Sequence, residues 1–211
     1  LYPVAKPSAM VLDRWLGEES ISYFRERDLH TVIRKHFEAD DADVGRLEGT
    51  GAMNFLALDD IAVTQEGEAV DPDSIIHLPI ENDLPVFPEF ERHALDPFLL
   101  GINSSGKKWV IIVDEHNEPR LVLNSNGFLR EALFSKQAIN PYSYCHRPIV
   151  VRDSGTLLGK VLSRFTVQAR SEVDDVVDND LILLWSDEKR VITGADILGQ
   201  LLRGIALRDI R

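Results

Sequence analysis

A threonine and an aspartate three residues apart, Thr193 and Asp196, stand between a short apolar run and an amphipathic stretch. If a strand ends at Thr193 and a helix begins at Gly194, hydroxyl and carboxylate meet in the first helical turn. A carboxylate there offers acceptors to the hydroxyls of a sugar, and the threonine adds a second polar atom. Open N–H groups and the positive end of the helix dipole favour a phosphate. The same pair also fits a helix cap that satisfies end N–H groups with no ligand at all.

Both readings need a strand before the pair and a helix after it, and the sequence supplies them twice. Arg190-Val-Ile-Thr-Gly-Ala-Asp196 lines up with Arg120-Leu-Val-Leu-Asn-Ser-Asn126 at an offset of 70 residues. Each segment follows an apolar strand (108–113; 181–185) and a polar turn, and each leads into an amphipathic helix. The segment 75–80 and the segment 148–151 read as first strands, with helices over 91–100 and 156–165. The acidic stretch 172–180 reads as a loop, and the last helix runs to about Leu207. Each repeat thus reads strand, helix, strand, strand, helix, an α/β (α+β) architecture with a site between repeats. The last helix carries Ile197, Leu198, Leu201, Leu202 and Ile205, an apolar stripe wide enough for its own sheet and a neighbouring helix.

Residues 1–69 read as helical, with helices over 8–17 and 25–37 and a third within 44–58. The repeats follow as 70–139 and 140–211. The chain starts at Leu1, and its first residues read as mid-sequence, so a piece of something longer is expected.

Of the 211 residues, 44% are hydrophobic and 27% charged, which supports a packed core. The net charge of -12 argues against a nucleic-acid face, which needs clustered Lys and Arg. Cys145 is the only cysteine, so no internal disulfide forms. No apolar run approaches the roughly 20 residues of a membrane span. Gly101-Ile-Asn-Ser-Ser-Gly-Lys-Lys108 nearly spells a phosphate-binding loop. Lys108 stands where Ser or Thr is needed, however, and the segment runs from helix to strand, the wrong way round. His30 and His36 lack the spacing of metal ligands on one helix face. Asp40, Asp41 and Asp43 lack the spacing of a calcium loop.

The duplicated unit resembles a tandem pair of CBS domains, the Bateman module. Family members read Gly-apolar-apolar-Thr/Ser-x-x-Asp after the third strand; Val191-Ile-Thr-Gly-Ala-Asp196 matches, with Arg190 in place of the glycine. The resemblance implies that Thr193 and Asp196 hold the ribose of an adenine nucleotide. A second resemblance lies upstream. Tyr2-Pro-Val-Ala-Lys-Pro7, Leu12-Asp-Arg-Trp-Leu-Gly17, Phe24-Arg-Glu-Arg-Asp-Leu29 and Met53-Asn-Phe-Leu-Ala-Leu58 are similar to the linker after the membrane domain of cyclin-M/CorC proteins. These are membrane proteins linked to Mg²⁺ and Co²⁺ transport and resistance, and bacterial members are called hemolysin-like. The resemblance implies a cytosolic regulatory module, on the cytoplasmic side of a membrane-anchored protein, partnered by its own transmembrane domain and by a second copy.

On that reading ATP with Mg²⁺ is the expected ligand, with AMP or ADP as alternatives. Thr193, Gly194 and Asp196 hold ribose and phosphate. Arg190 and Arg147, with Lys189 and Arg152, are the nearby bases, and adenine lies beside Pro148, Ile149 and Val150. Mg²⁺ comes with the nucleotide, without protein ligands. The first repeat offers a weaker site, since Leu123 replaces the threonine and Asn126 the aspartate. Two other readings remain: a ligand-free dimerisation scaffold, and an enzyme, for which no nucleophile or general base lies near the motif.

Overall fold

A computed structural model describes residues 31, 32, 35, 45–166 and 174–206. The chain divides into two compact units, one of Leu1–Leu56 with Gly204–Arg211 and one of Ala57–Arg203. The helix predicted over 8–17 lies outside the described residues. Of the one over 25–37, only Thr31, Val32 and Lys35 are described, and all three are helical. The third is the helix Arg46–Leu58. The Gly45 N–H donates to Glu48 Oε2 at 2.9 Å, so an acid in the first turn satisfies a donor that the helix start leaves open.

Both repeats lie within Ala57–Arg203. A short strand β1 (Glu68–Ala69) precedes β2 (Ile75–His77) and a small hairpin of β3 (Ile80–Glu81) and β4 (Leu84–Pro85). The first repeat continues with the helix Pro97–Asn103, β5 (Trp109–Val113), β6 (Pro119–Asn124) and the helix Ser125–Phe134. The second has β7 (Cys145–Val151), the helix Leu158–Leu162, β8 (Val177–Trp185), β9 (Lys189–Thr193) and the helix Gly194–Leu201. Seven strands join in one sheet, in the order β1-β9-β8-β7-β6-β5-β2. β2 with β5, and β7 with β8, run parallel, as a helical crossover requires; the other neighbours are antiparallel.

The side-chain alternation of the strands builds three cores from one sheet. Val110 and Ile112 of β5 and Leu121 and Leu123 of β6 pack under the first-repeat helices with Phe128. Ile149 and Val151, Ile182 and Leu184, and Ile192 do the same for the second repeat. The intervening residues point to the opposite face. Ile111, Val113 and Val122 meet Leu181, Leu183, Trp185 and Val191 in a third core shared by the repeats. β5 and β8 are not sheet neighbours, so the sheet must curl until its two halves touch. β7 is the hinge of that curl. It pairs with β6 only through Cys145 and His146, then runs beside β8 to Val151. Its register shifts between Arg147 and Ile149, at Pro148, a residue with no N–H to give a ladder. Cys145 is fully buried there, and its Sγ lies 3.5 Å from the Pro141 carbonyl.

Several boundaries differ from expectation for local reasons. The helix predicted over 91–100 starts at Pro97. Asp96 Oδ1 caps it from the N–H groups of Phe98 (2.9 Å) and Leu99 (3.0 Å), while Oδ2 accepts from Glu91 N–H and folds 91–96 into a turn. The helix over 156–165 shrinks to Leu158–Leu162. The Leu158 N–H donates to Ile61 O at 2.8 Å, and Ala62 forms a bridge with Leu157. The helix Gly194–Leu201 stops before Leu207, and Gly204 follows at φ +73°. The strand 75–80 divides into β2 and β3. The acidic loop is shorter than predicted, because β8 begins at Val177 and takes in Asp178 and Asp180.

The turn between β5 and β6 rests on one carboxylate. Asp114 Oδ1 accepts from the N–H groups of His116 and Glu118, each at 2.9 Å. Its Oδ2 accepts from Arg120 Nε (3.0 Å) and Nη2 (2.8 Å). The Glu118 N–H bond, with help from Arg120 and His116 and against the cost of burial, holds Asp114 below its usual range. A depressed folded-state pKa stabilises the fold above the ordinary carboxylate range and loses that effect as pH falls through the folded value. Asp114→Asn is therefore expected to lower the melting temperature at pH 7 and to lower it much less near pH 3. Equal losses at both pH values in thermal scans would contradict the charge-dependent part of this account.

Candidate functional site

The second-repeat motif folds as a strand end turning into a helix. Thr193 is the N-cap, with extended φ/ψ of -112° and 167°, and Asp196 stands three residues on. One carboxylate oxygen, Asp196 Oδ2, accepts from the Thr193 N–H at 2.8 Å and from the Thr193 hydroxyl at 2.7 Å. This is the return arm of a capping box. The other oxygen, Oδ1, has no hydrogen-bond partner among the described residues. Gly194 and Ala195 are exposed, and Asp196 is half-buried. The turn can thus offer a ligand one open carboxylate oxygen beside the N–H groups of a helix start.

Other predicted residues fall differently. Arg190 is engaged with the chain itself: its Nε donates to Glu66 O and its Nη2 to Gly67 O, both at 2.8 Å. Arg147 pairs with Asp174 at 2.9 Å and with Asp178. Burial opposes its charge, but the two carboxylates outweigh burial and raise its pKa. Arg152 pairs with Glu118, and Lys189 lies 5.0 Å from the Trp185 ring. Ile149 is 1% exposed and belongs to the helix-side core, so it offers a ligand no surface; Val150 is half-buried beside the shared core.

Sequence reasoning missed three neighbours. Phe165 is the nearest: its ring Cζ lies 3.8 Å from where a Cβ on Gly194 would stand. Arg164 adjoins Phe165, is exposed, and has no ion pair among the described residues. Glu66 lies just before the Gly67 turn that leads into β1, and its carbonyl accepts from Arg190 Nε. Its carboxylate accepts from the Gln200 amide, one helical turn beyond Asp196. None is foreshadowed by the motif, because each comes from a distant segment.

The repeats align at an offset of 69, not the predicted 70. Both N-caps show it, Asn124 and Thr193. Alternation is the reason: Leu123 and Ile192 both face helix-side cores, while Val122 and Val191 face the shared one. The first-repeat counterparts of Thr193 and Asp196 are therefore Asn124 and Gly127, replacing Leu123 and Asn126. Leu123 is 1% exposed, locked in the core, and Asn126 is exposed on its helix. Asn124 caps Gly127 N–H at 3.1 Å, and a Cβ on Gly127 would lie 3.0 Å from the Tyr144 ring. The first-repeat turn has no carboxylate and an aromatic ring beside it.

Two strand–helix–strand–strand–helix units sharing one curled sheet define the CBS fold. No protein-family model and no curated protein matches the chain. Solved structures do. The CBS domain of a bacterial CNNM/CorC family Mg²⁺ transporter, bound to an inhibitor, superposes with a TM-score of 0.52 at 11% identity, over 88% of this chain and 100% of that one. A second structure of such a domain gives 0.51 at 12% identity, over 88% and 99%. A domain of unknown function from Neisseria meningitidis MC58 gives 0.45 at 13% identity, over 82% and 97%. Among the described residues no helix is long and apolar enough to cross a membrane, and no cluster of His, Cys, Asp or Glu is arranged to hold a metal.

Asp196→Ala removes the acceptor of both Thr193 bonds. About 1 kcal/mol of stability should be lost, read as a lower urea midpoint at unchanged slope. An unchanged midpoint would mean that other contacts hold the turn.

Proposed function

We propose that the chain is the regulatory CBS module of a Mg²⁺ or Co²⁺ transport protein of the CNNM/CorC kind. In this reading it binds one MgATP per chain at the Thr193–Asp196 turn and acts as a homodimer on the cytoplasmic side of a membrane, coupled to its own transmembrane domain. The observation that carries the site is the divided use of Asp196. One oxygen braces the turn and the other is open to the hydroxyls of a ribose. The exposed helix start suits a phosphate. With Arg147 and Arg190 engaged elsewhere, this reading assigns the role of its counter-charge to Arg164, which is exposed and directly precedes Phe165. Mg²⁺ offsets part of the repulsion between a polyphosphate and a chain of net charge -12.

The homodimer rests on exposed apolar side chains along the helices. Leu100 is 47% and Phe134 is 80% exposed along the groove between Pro97–Asn103 and Ser125–Phe134. Leu198 and Leu202 stand out on the second-repeat helix. Apolar groups grouped in this way suit a partner surface.

One observation favours the scaffold reading. The Thr193 hydroxyl and N–H both end on Asp196, which is also what a plain cap does. Calorimetric titration with ATP, with and without Mg²⁺, and with AMP separates the two. The proposal expects saturable, Mg²⁺-dependent ATP binding at one site per chain, weakened about tenfold or more in Asp196→Ala. Absence of heat from a folded dimer would leave the scaffold; tighter AMP binding would keep the site and change its ligand.

A further inference from the structure

The segment from Ile61 to Val70 lies along the second repeat as a strap, and several independent contacts hold it there. Val63 N–H donates to Thr156 O at 3.0 Å, and Leu158 N–H donates to Ile61 O at 2.8 Å. At its other end β1 adds to the edge of β9, and Val70 N–H donates to Lys189 O at 2.9 Å. Between these anchors sits a tight turn at Gly67, whose φ is +73° and where a Cβ would stand 2.2 Å from Val191 O. No other residue type fits there without displacing the strap.

The middle of the strap is held by the strand and the helix that meet at the candidate site. Arg190 reaches along β9 to the carbonyls of Glu66 and Gly67. Gln200, on the helix that Asp196 opens, reaches the Glu66 carboxylate. Arg190, three residues before Thr193 on β9, and Gln200, one turn after Asp196, therefore both grip the same two-residue stretch. The first repeat supplies the comparison. There the neighbour of the capped turn is Tyr144, whose ring lies 3.0 Å from where a Cβ on Gly127 would stand, and which belongs to the junction between repeats. In the second repeat the residue held by the helix that Asp196 opens, Glu66, belongs to a segment that continues the chain from the helix Arg46–Leu58.

We infer that the strap is a ligand-responsive wall of the Thr193–Asp196 site, latched by Arg190, through which occupancy is passed to the chain preceding it. The inference rests on the nucleotide reading above. A ligand filling the turn packs against Glu66 and tightens the strap; an empty turn leaves the strap to its latch. Arg190 is a positioning residue here, not a ligand contact. Only a difference in ligand affinity between the tight and loose strap can drive such a response.

Hydrogen exchange resolved at single amides, on the full chain, tests the latch and the response separately. In Arg190→Gly, exchange at Val70 should rise about tenfold, as expected for two lost hydrogen bonds in a local opening. Exchange at Val110–Val113 and Ile182–Leu184 should stay unchanged. In the wild type, saturating MgATP should slow Val70 exchange; in Arg190→Gly it should still bind by calorimetry, with a weaker slowing. Unaltered Val70 protection in Arg190→Gly overturns the latch. Bound MgATP that leaves wild-type Val70 exchange unmoved overturns the response. A titration without heat overturns the nucleotide reading, while the Arg190→Gly comparison still decides the latch.

Discussion

Strands buried on both faces dictate where this chain can do chemistry. Through 110–113, 121–123, 181–185 and 191–192, β5, β6, β8 and β9 face helices on one side and the other half of the same sheet on the other, and every one of these positions is apolar. A polar side chain placed mid-strand would meet no water on either face. Polar groups are therefore pushed to the strand ends, where turns and helix starts leave backbone groups in need of partners. Asp114 at the β5 end and the Thr193–Asp196 pair at the β9 end are two outcomes of that one constraint.

The fold was largely legible because the repeat is carried by apolar runs whose period matches their structure. The runs around 109–113 and 181–185, each followed by a polar turn, mark the paired strands. The single-residue error in aligning the repeats was invisible in letters. Leu123 and Thr193 sit at matching distances from similar neighbours, and only their facing shows that Asn124 is the true counterpart. The acidic stretch misled for a different reason. Asp178 and Asp180 read as a solvated loop, yet they lie in β8 beside β7, where Arg147 pairs with Asp178 and His146 Nδ1 lies 2.9 Å from Asp180 Oδ1.

The candidate site was legible only in its continuous part. Thr193, Gly194 and Asp196 come from one short string, so their junction could be read from the sequence. Phe165, Arg164 and Glu66 approach from segments whose placement depends on the sheet order. The reverse holds for Arg190 and Arg147, which look available in sequence and are committed in space. In a chain with more acids than bases, a lone basic residue has abundant partners, and nearness in sequence is a poor guide to a free charge.

Cys145 lies where β7 leaves β6 to join β8, with none of its surface open to water. Burial drives its thiol far above the ordinary range, so the folded chain offers almost no thiolate. It is also the only sulfhydryl in the sequence. The molecule thus carries a native clock for the seam between its halves: an alkylating reagent can react only when that seam parts. The rate of modification then counts those partings with no label introduced.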